Sequence, residues 1–84
     1  MSALVDITAM PGDAADSIGV NRFARAMQRK MEAMRTEGRY GWNRPNLFTI
    51  SKLKARLASA TQKGDPVDVA NYAMMIWNRQ HPTG

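Results

Sequence analysis

Nine of the eleven residues from Val67 to Trp77 are apolar, and at helical spacing they fall on nearly every side of the cylinder rather than on one stripe. A helix of that kind has to be covered on several sides. The segment starts as a helix should, with Asp65 at the N-cap, Pro66 at the first helical position and Asp68 in the first turn, where a carboxylate meets the positive end of the helix dipole. Only Asp68, Asn71 and Asn78, three and seven residues apart on one stripe, interrupt the apolar surface. The chain has 84 residues, so it holds one core at most. With no cysteine, it has no disulfide, no thiolate metal site and no Cys nucleophile. Two preceding helices offer this segment little cover. The sequence therefore points to a homo-oligomer, an assembled helical bundle with Tyr72, Met75, Ile76 and Trp77 in the interface.

The expected class is all-α: a three-helix single domain over residues 20–80, with an extended N-terminal arm over 1–19 and a tail over 81–84. The first helix is expected over about 21–37. Asn21 is a good N-cap and Gly38 a good left-handed stop, and Phe23, Met27, Met31 and Met34 share a face between them. Arg22, Arg25 and Arg29 fall on the opposite side, which reads as a solvated surface. Residues 38–46 form a turn whose Tyr40 and Trp42 are large enough to fold back over one end of the core. The second helix, about 50–62, aligns Ile50, Leu53, Leu57 and Ala60 on one stripe, carries Lys52, Lys54 and Arg56 elsewhere, and ends at Gly64. The third runs over about 66–79. Before residue 20, Pro11, Gly12 and Gly19 interrupt any sustained helical period, which gives the arm.

Charge is unevenly placed. Asp6, Asp13 and Asp16 precede residue 20 with no Lys or Arg among them, whereas all twelve basic residues follow, for a net charge of +5. No apolar run approaches the roughly 20 residues that span a bilayer, and no signal-peptide pattern is present, so a soluble, cytoplasmic protein is expected. The single histidine, His81, lies in the tail beside Pro82, where a general base would be poorly held. No Ser/His/Asp or Cys/His arrangement and no Gly-rich phosphate loop occurs. Asp65 and Asp68 are carboxylates paired one turn apart at the start of the third helix. Such a pair either caps its helix or contributes to a Mg²⁺ site.

The string from Lys63 to Met75, KGDPVDVANYAMM, resembles the ADVANFAMM segment of small phage-encoded MazG-like nucleotide pyrophosphohydrolases, a group that includes dATP/dGTP diphosphohydrolases. Upstream, Arg22 to Trp42 (RFARAMQRKMEAMRTEGRYGW) is similar to the opening of the same group, so the likeness covers about residues 22–79. The resemblance implies an all-α core that binds Mg²⁺ through an EExxE motif on one helix and an ExxD motif on the next, with water attacking a nucleoside triphosphate. Carried over, Asp65 and Asp68 stand in the ExxD places, and Asn71 matches the Asn of DVAN. The EExxE half is missing: no acid occurs between Ser51 and Lys63, where Lys52, Lys54 and Arg56 stand instead. Cations there repel a divalent metal.

The expected function is thus a non-catalytic, phage-type binding protein on a degenerate MazG-like scaffold. It would bind a nucleotide or other phosphate ligand, or a host protein in counter-defence, without a cofactor. Lys54, Arg56, Arg39 and Asn71 are the candidate ligand residues. One alternative is a basic helical nucleic-acid-binding protein. A second is a residual pyrophosphohydrolase in which Asp65 and Asp68 hold Mg²⁺, completed across subunits.

Overall fold

The computed structural model describes residues 6–84, which form three α-helices and no strand. The first, α1 (Gly12–Thr36), has 25 residues and is about 37 Å long at 1.5 Å per residue. It begins well before Asn21, which lies inside it. The extended arm is therefore corrected over residues 12–19, and residues 1–5 lie outside the described residues. Two local effects offset the glycines. Asp13 sits in the first turn, where the dipole favours it. A 3₁₀ turn, Ile7–Ala9, packs back on this end of the helix, where Ala14, Ala15, Ile18 and Gly19 are half-buried. A Cβ on Gly19 would lie 3.2 Å from Ile7 Cδ1, so the glycine that weakens the helix admits the turn. The 3₁₀ turn is capped by Asp6, whose carboxylate accepts from the Thr8 hydroxyl at 2.6 Å and the Thr8 N–H at 3.0 Å. Those two bonds, the hydroxyl first, hold the Asp6 carboxyl below its ordinary value.

The second helix, α2 (Ile50–Lys63), starts where Thr49 Oγ1 accepts from Lys52 N–H and stops at Gly64, whose φ of 77° is the left-handed conformation a C-terminal cap needs. The third, α3 (Pro66–Gln80), is capped by Asp65 Oδ1, which accepts from the N–H groups of Val67 at 3.0 Å and Asp68 at 3.4 Å. Asp65→Ala should lower stability by about 1 kcal/mol in urea melts, with Asp65→Asn retaining most of it.

The order of packing explains the nearly all-round apolar character of α3. It lies against both α1 and α2, whose backbones do not approach each other. One chain thus covers two sides of α3. Met34 from α1, Leu53 from α2, and Met75 and Ile76 from α3 form the buried core, with Met31, Trp42, Phe48, Leu57, Tyr72 and Met74 packed around it. The interface expected on α3 is corrected for Met75 and Ile76, which are buried within their own chain, whereas Tyr72 is half-buried against that core and Trp77 stays on the surface. His81 stacks on Trp77 with ring centroids 4.5 Å apart, and its N–H meets the Trp77 carbonyl at the helix end. Because α1 is longer than the body it packs on, the molecule measures 45 × 27 × 26 Å. No helix among the described residues is long and apolar enough to cross a membrane.

Candidate functional site

The segment between α1 and α2 builds the most enclosed hollow described here. After α1, Gly38 turns the chain at a φ of 82°, and the N–H groups of Gly38 and Arg39 return to the carbonyls of Arg35 and Met34. At Gly41 a φ of 97° favours glycine, and Leu47 packs close by, with its Cδ1 3.3 Å from where a Cβ would stand. Arg79 then fixes the segment from the far side. Its Nη1 donates to the carbonyls of Trp42 at 2.9 Å and Phe48 at 2.5 Å, tying both ends of residues 42–48 to α3. Guanidinium suits this task because its donors are fixed in one plane and stay charged.

Held this way, Tyr40, Trp42 and Phe48 face Tyr72 of α3 around a cavity of about 210 Å³. Met34, Leu53 and Met75, members of the core, also line it, and Arg39 and Arg56 supply its charge. The Arg56 guanidinium lies 5.5 Å from the Phe48 ring centroid, and the Lys52 ammonium 5.9 Å from the same ring. Arg39 pairs with Glu37 at 3.1 Å, with both side chains more than half exposed. A pair that open is worth about 0–1 kcal/mol and yields readily to a competing anion. The arrangement gathers four aromatic side chains, which can pack on a flat ring, and two guanidiniums, which can pair with an anion, around one hollow.

Of the four expected ligand residues, the structure brings Arg39 and Arg56 to this cavity and leaves two elsewhere. Lys54 is exposed and does not line it, because two helical steps turn it about 200° from Arg56. Asn71, 1% exposed, is held on the α1 side of α3, where its Nδ2 donates to the Met27 carbonyl at 3.2 Å. Its Oδ1 has no hydrogen-bond partner, and the residue lines a separate groove. Arg79 was not among the expected residues. The signal available for it was an Arg in the last turn of a buried helix, opposite a loop whose carbonyls lack helical partners.

The residues present do not fit a Mg²⁺ site at Asp65 and Asp68. Lys30 Nζ lies 3.9 Å from Asp65 Oδ2 and 3.6 Å from Asp68 Oδ1, so an ammonium already stands beside both carboxylates. Asp65 Oδ1 is committed to the helix cap. No group of three or more metal-ligating side chains occurs among the described residues, whereas Mg²⁺ needs near-octahedral oxygen ligation. Comparison with family models, with curated proteins and with solved structures finds no match.

Proposed function

We propose that this chain is a binding protein without chemistry of its own, on a scaffold related to the MazG-like proteins it resembles, and that its ligand is a nucleotide. The reading rests on one observation: four aromatic side chains and two arginines, Arg39 and Arg56, line a single cavity. At about 210 Å³ the cavity is smaller than the roughly 300–1,000 Å³ that enclose a drug-sized ligand. It suits one planar ring inside, with the phosphate at the mouth beside the guanidiniums. Affinity then comes from stacking and charge-assisted hydrogen bonds, the latter about 1.5–3 kcal/mol each. No step of hydrolysis is part of the reading, since Asp65 and Asp68 face a lysine rather than a metal site.

Calorimetry against a panel of nucleoside mono- and triphosphates tests it. Wild type should bind at least one, Arg39→Ala/Arg56→Ala should lose at least tenfold in affinity, and Lys54→Ala should bind as wild type does. Loss of affinity on Lys54→Ala with none on the double substitution would contradict the assignment. Pyrophosphate release that depends on Mg²⁺ and vanishes in Asp68→Asn would restore the enzymatic alternative.

A second reading, nucleic-acid binding, is favoured by a different place. Arg22, Arg25 and Arg29 line an open hollow on α1 together with Phe23. Three cations at helical spacing on one helix can track phosphates along a groove. Competition separates the readings. A mononucleotide displaces a ligand held in the aromatic cavity as well as duplex DNA does, and displaces DNA poorly from an extended basic helix.

A further inference from the structure

The two guanidiniums at the aromatic cavity are not equivalent. Arg56 has no carboxylate partner among the described residues, and its guanidinium lies 5.5 Å from the Phe48 ring centroid. Arg39 is already engaged, with its Nη2 3.1 Å from Glu37 Oε2. Glu37 itself stands outside the cavity lining. The two residues flank Gly38, whose φ of 82° turns the chain, and their backbones are pinned. The Glu37 N–H donates to the carbonyls of Ala33 and Met34, and the Arg39 N–H to that of Met34 at 2.9 Å. Only the side chains are left to exchange partners. Glu37 gains nothing from its own helix, since it is the C-terminal cap of α1, where the dipole presents its negative end and disfavours a carboxylate. Among the described residues, Arg39 is its one ion-pair partner.

We propose that Glu37 is a specificity-determining residue of this site: it withholds Arg39 from ligands that bring a single negative charge and yields it to a terminal phosphate monoester. The inference rests on the nucleotide reading above. An anion that recruits Arg39 has to replace a carboxylate. A phosphodiester, in a cyclic nucleotide or within a nucleic-acid strand, carries one charge as the carboxylate does, and gains nothing by the exchange. A phosphate monoester carries about −1.5 to −2 charges at pH 7 and offers three acceptor oxygens to the planar guanidinium, so the exchange favours it. Both kinds of ligand meet Arg56, which has no competing acid, and only the monoester also meets Arg39. The ligand class is therefore a nucleotide that ends in a free phosphate.

Calorimetry of the full chain tests this with the 5′-monophosphates of adenosine, guanosine, cytidine and uridine, and with the 3′,5′-cyclic form of the one that binds most tightly. Arg39→Ala should weaken the monophosphate by about fivefold or more and the cyclic form by less than about twofold. In Glu37→Gln, where nothing opposes Arg39, the cyclic form should bind about two- to fivefold more tightly than in wild type, the range an exposed ion pair allows. Adding Arg39→Ala to Glu37→Gln should abolish that gain. The Glu37 side chain is more than half exposed and the residue caps α1 through its backbone, so Glu37→Gln should leave the helical circular dichroism signal in place. Equal weakening of both ligands by Arg39→Ala overturns the proposal. So does a Glu37→Gln protein that binds the cyclic form no more tightly than wild type. If Arg56→Ala still weakens both ligands in either event, the nucleotide reading stands without the inference, whereas no heat with any of the monophosphates overturns both.

Discussion

Leu53→Ala should cost about 3 kcal/mol, the largest loss expected from any single truncation in this chain. Leu53 is fully buried, with 0% exposure, at the point where α2 meets Met75 and Ile76 of α3 and Met34 of α1. Removing its three terminal carbons takes away their transfer free energy and leaves a cavity in the only core the described residues possess. Chains of this size carry roughly 0.05–0.15 kcal/mol of stability per residue, so a loss of that size removes a large share of the total. Urea melts of wild type and Leu53→Ala followed by circular dichroism check it. Leu57→Ala, at a half-buried site one turn later on the same stripe, should cost distinctly less, and equal losses at the two sites would contradict the packing described.

Arg79→Met should separate stability from site formation. Methionine keeps much of the aliphatic stem but withdraws the donors to the Trp42 and Phe48 carbonyls, which then lose a charged partner in a partly buried setting. Hydrogen bonds to charged groups contribute about 1.5–3 kcal/mol, so a loss near 2–3 kcal/mol is expected. The larger consequence falls on the segment itself. Trp42 and Phe48 form one wall of the aromatic cavity, and without Arg79 nothing charged ties that wall to α3. Trp42 fluorescence should become more exposed to a neutral quencher while the helical signal at 25 °C is largely kept, and nucleotide affinity should fall at least tenfold. Arg79→Lys keeps the charge but not the planar fork and should recover only part of each loss.

The legible parts of this fold are those encoded over three or four residues. Thr49 before α2, Gly64 after it and the Asp65-Pro66 pair before α3 each act within one turn, so their backbone consequences follow from residue type. The beginning of α1 is different. Pro11, Gly12 and Gly19 read locally as breakers, yet Gly19 sits inside α1, with Ile7, twelve residues away in sequence, packed beside it. That contact is tertiary, and local propensity does not report it. The same division runs through the site. Residue type singles out Lys54 and Arg56 alike as cations of the second helix, and only the phase of α2 relative to α3 shows that Arg56 lines the cavity and Lys54 does not. Arg79 acts across more than thirty residues of sequence, at carbonyls rather than at an opposite charge, and charge patterning is blind to it. The apolar surface of α3 correctly demands cover on several sides, but much of that cover comes from this chain's own α1 and α2.

The central claim is that a nucleotide binds where Tyr40, Trp42, Phe48, Tyr72, Arg39 and Arg56 converge. The chain's two tryptophans make that claim directly measurable, since Trp42 lines the cavity while Trp77, 52% exposed, lies outside it beside His81. The decisive measurement is a ¹H–¹⁵N spectrum of the wild-type protein titrated with adenosine, guanosine, cytidine and uridine monophosphates in the absence of magnesium. The Trp42 indole resonance should shift saturably with at least one nucleotide while the Trp77 indole stays in place. No shift at Trp42 with any nucleotide, or a saturable shift confined to Trp77, would contradict the account.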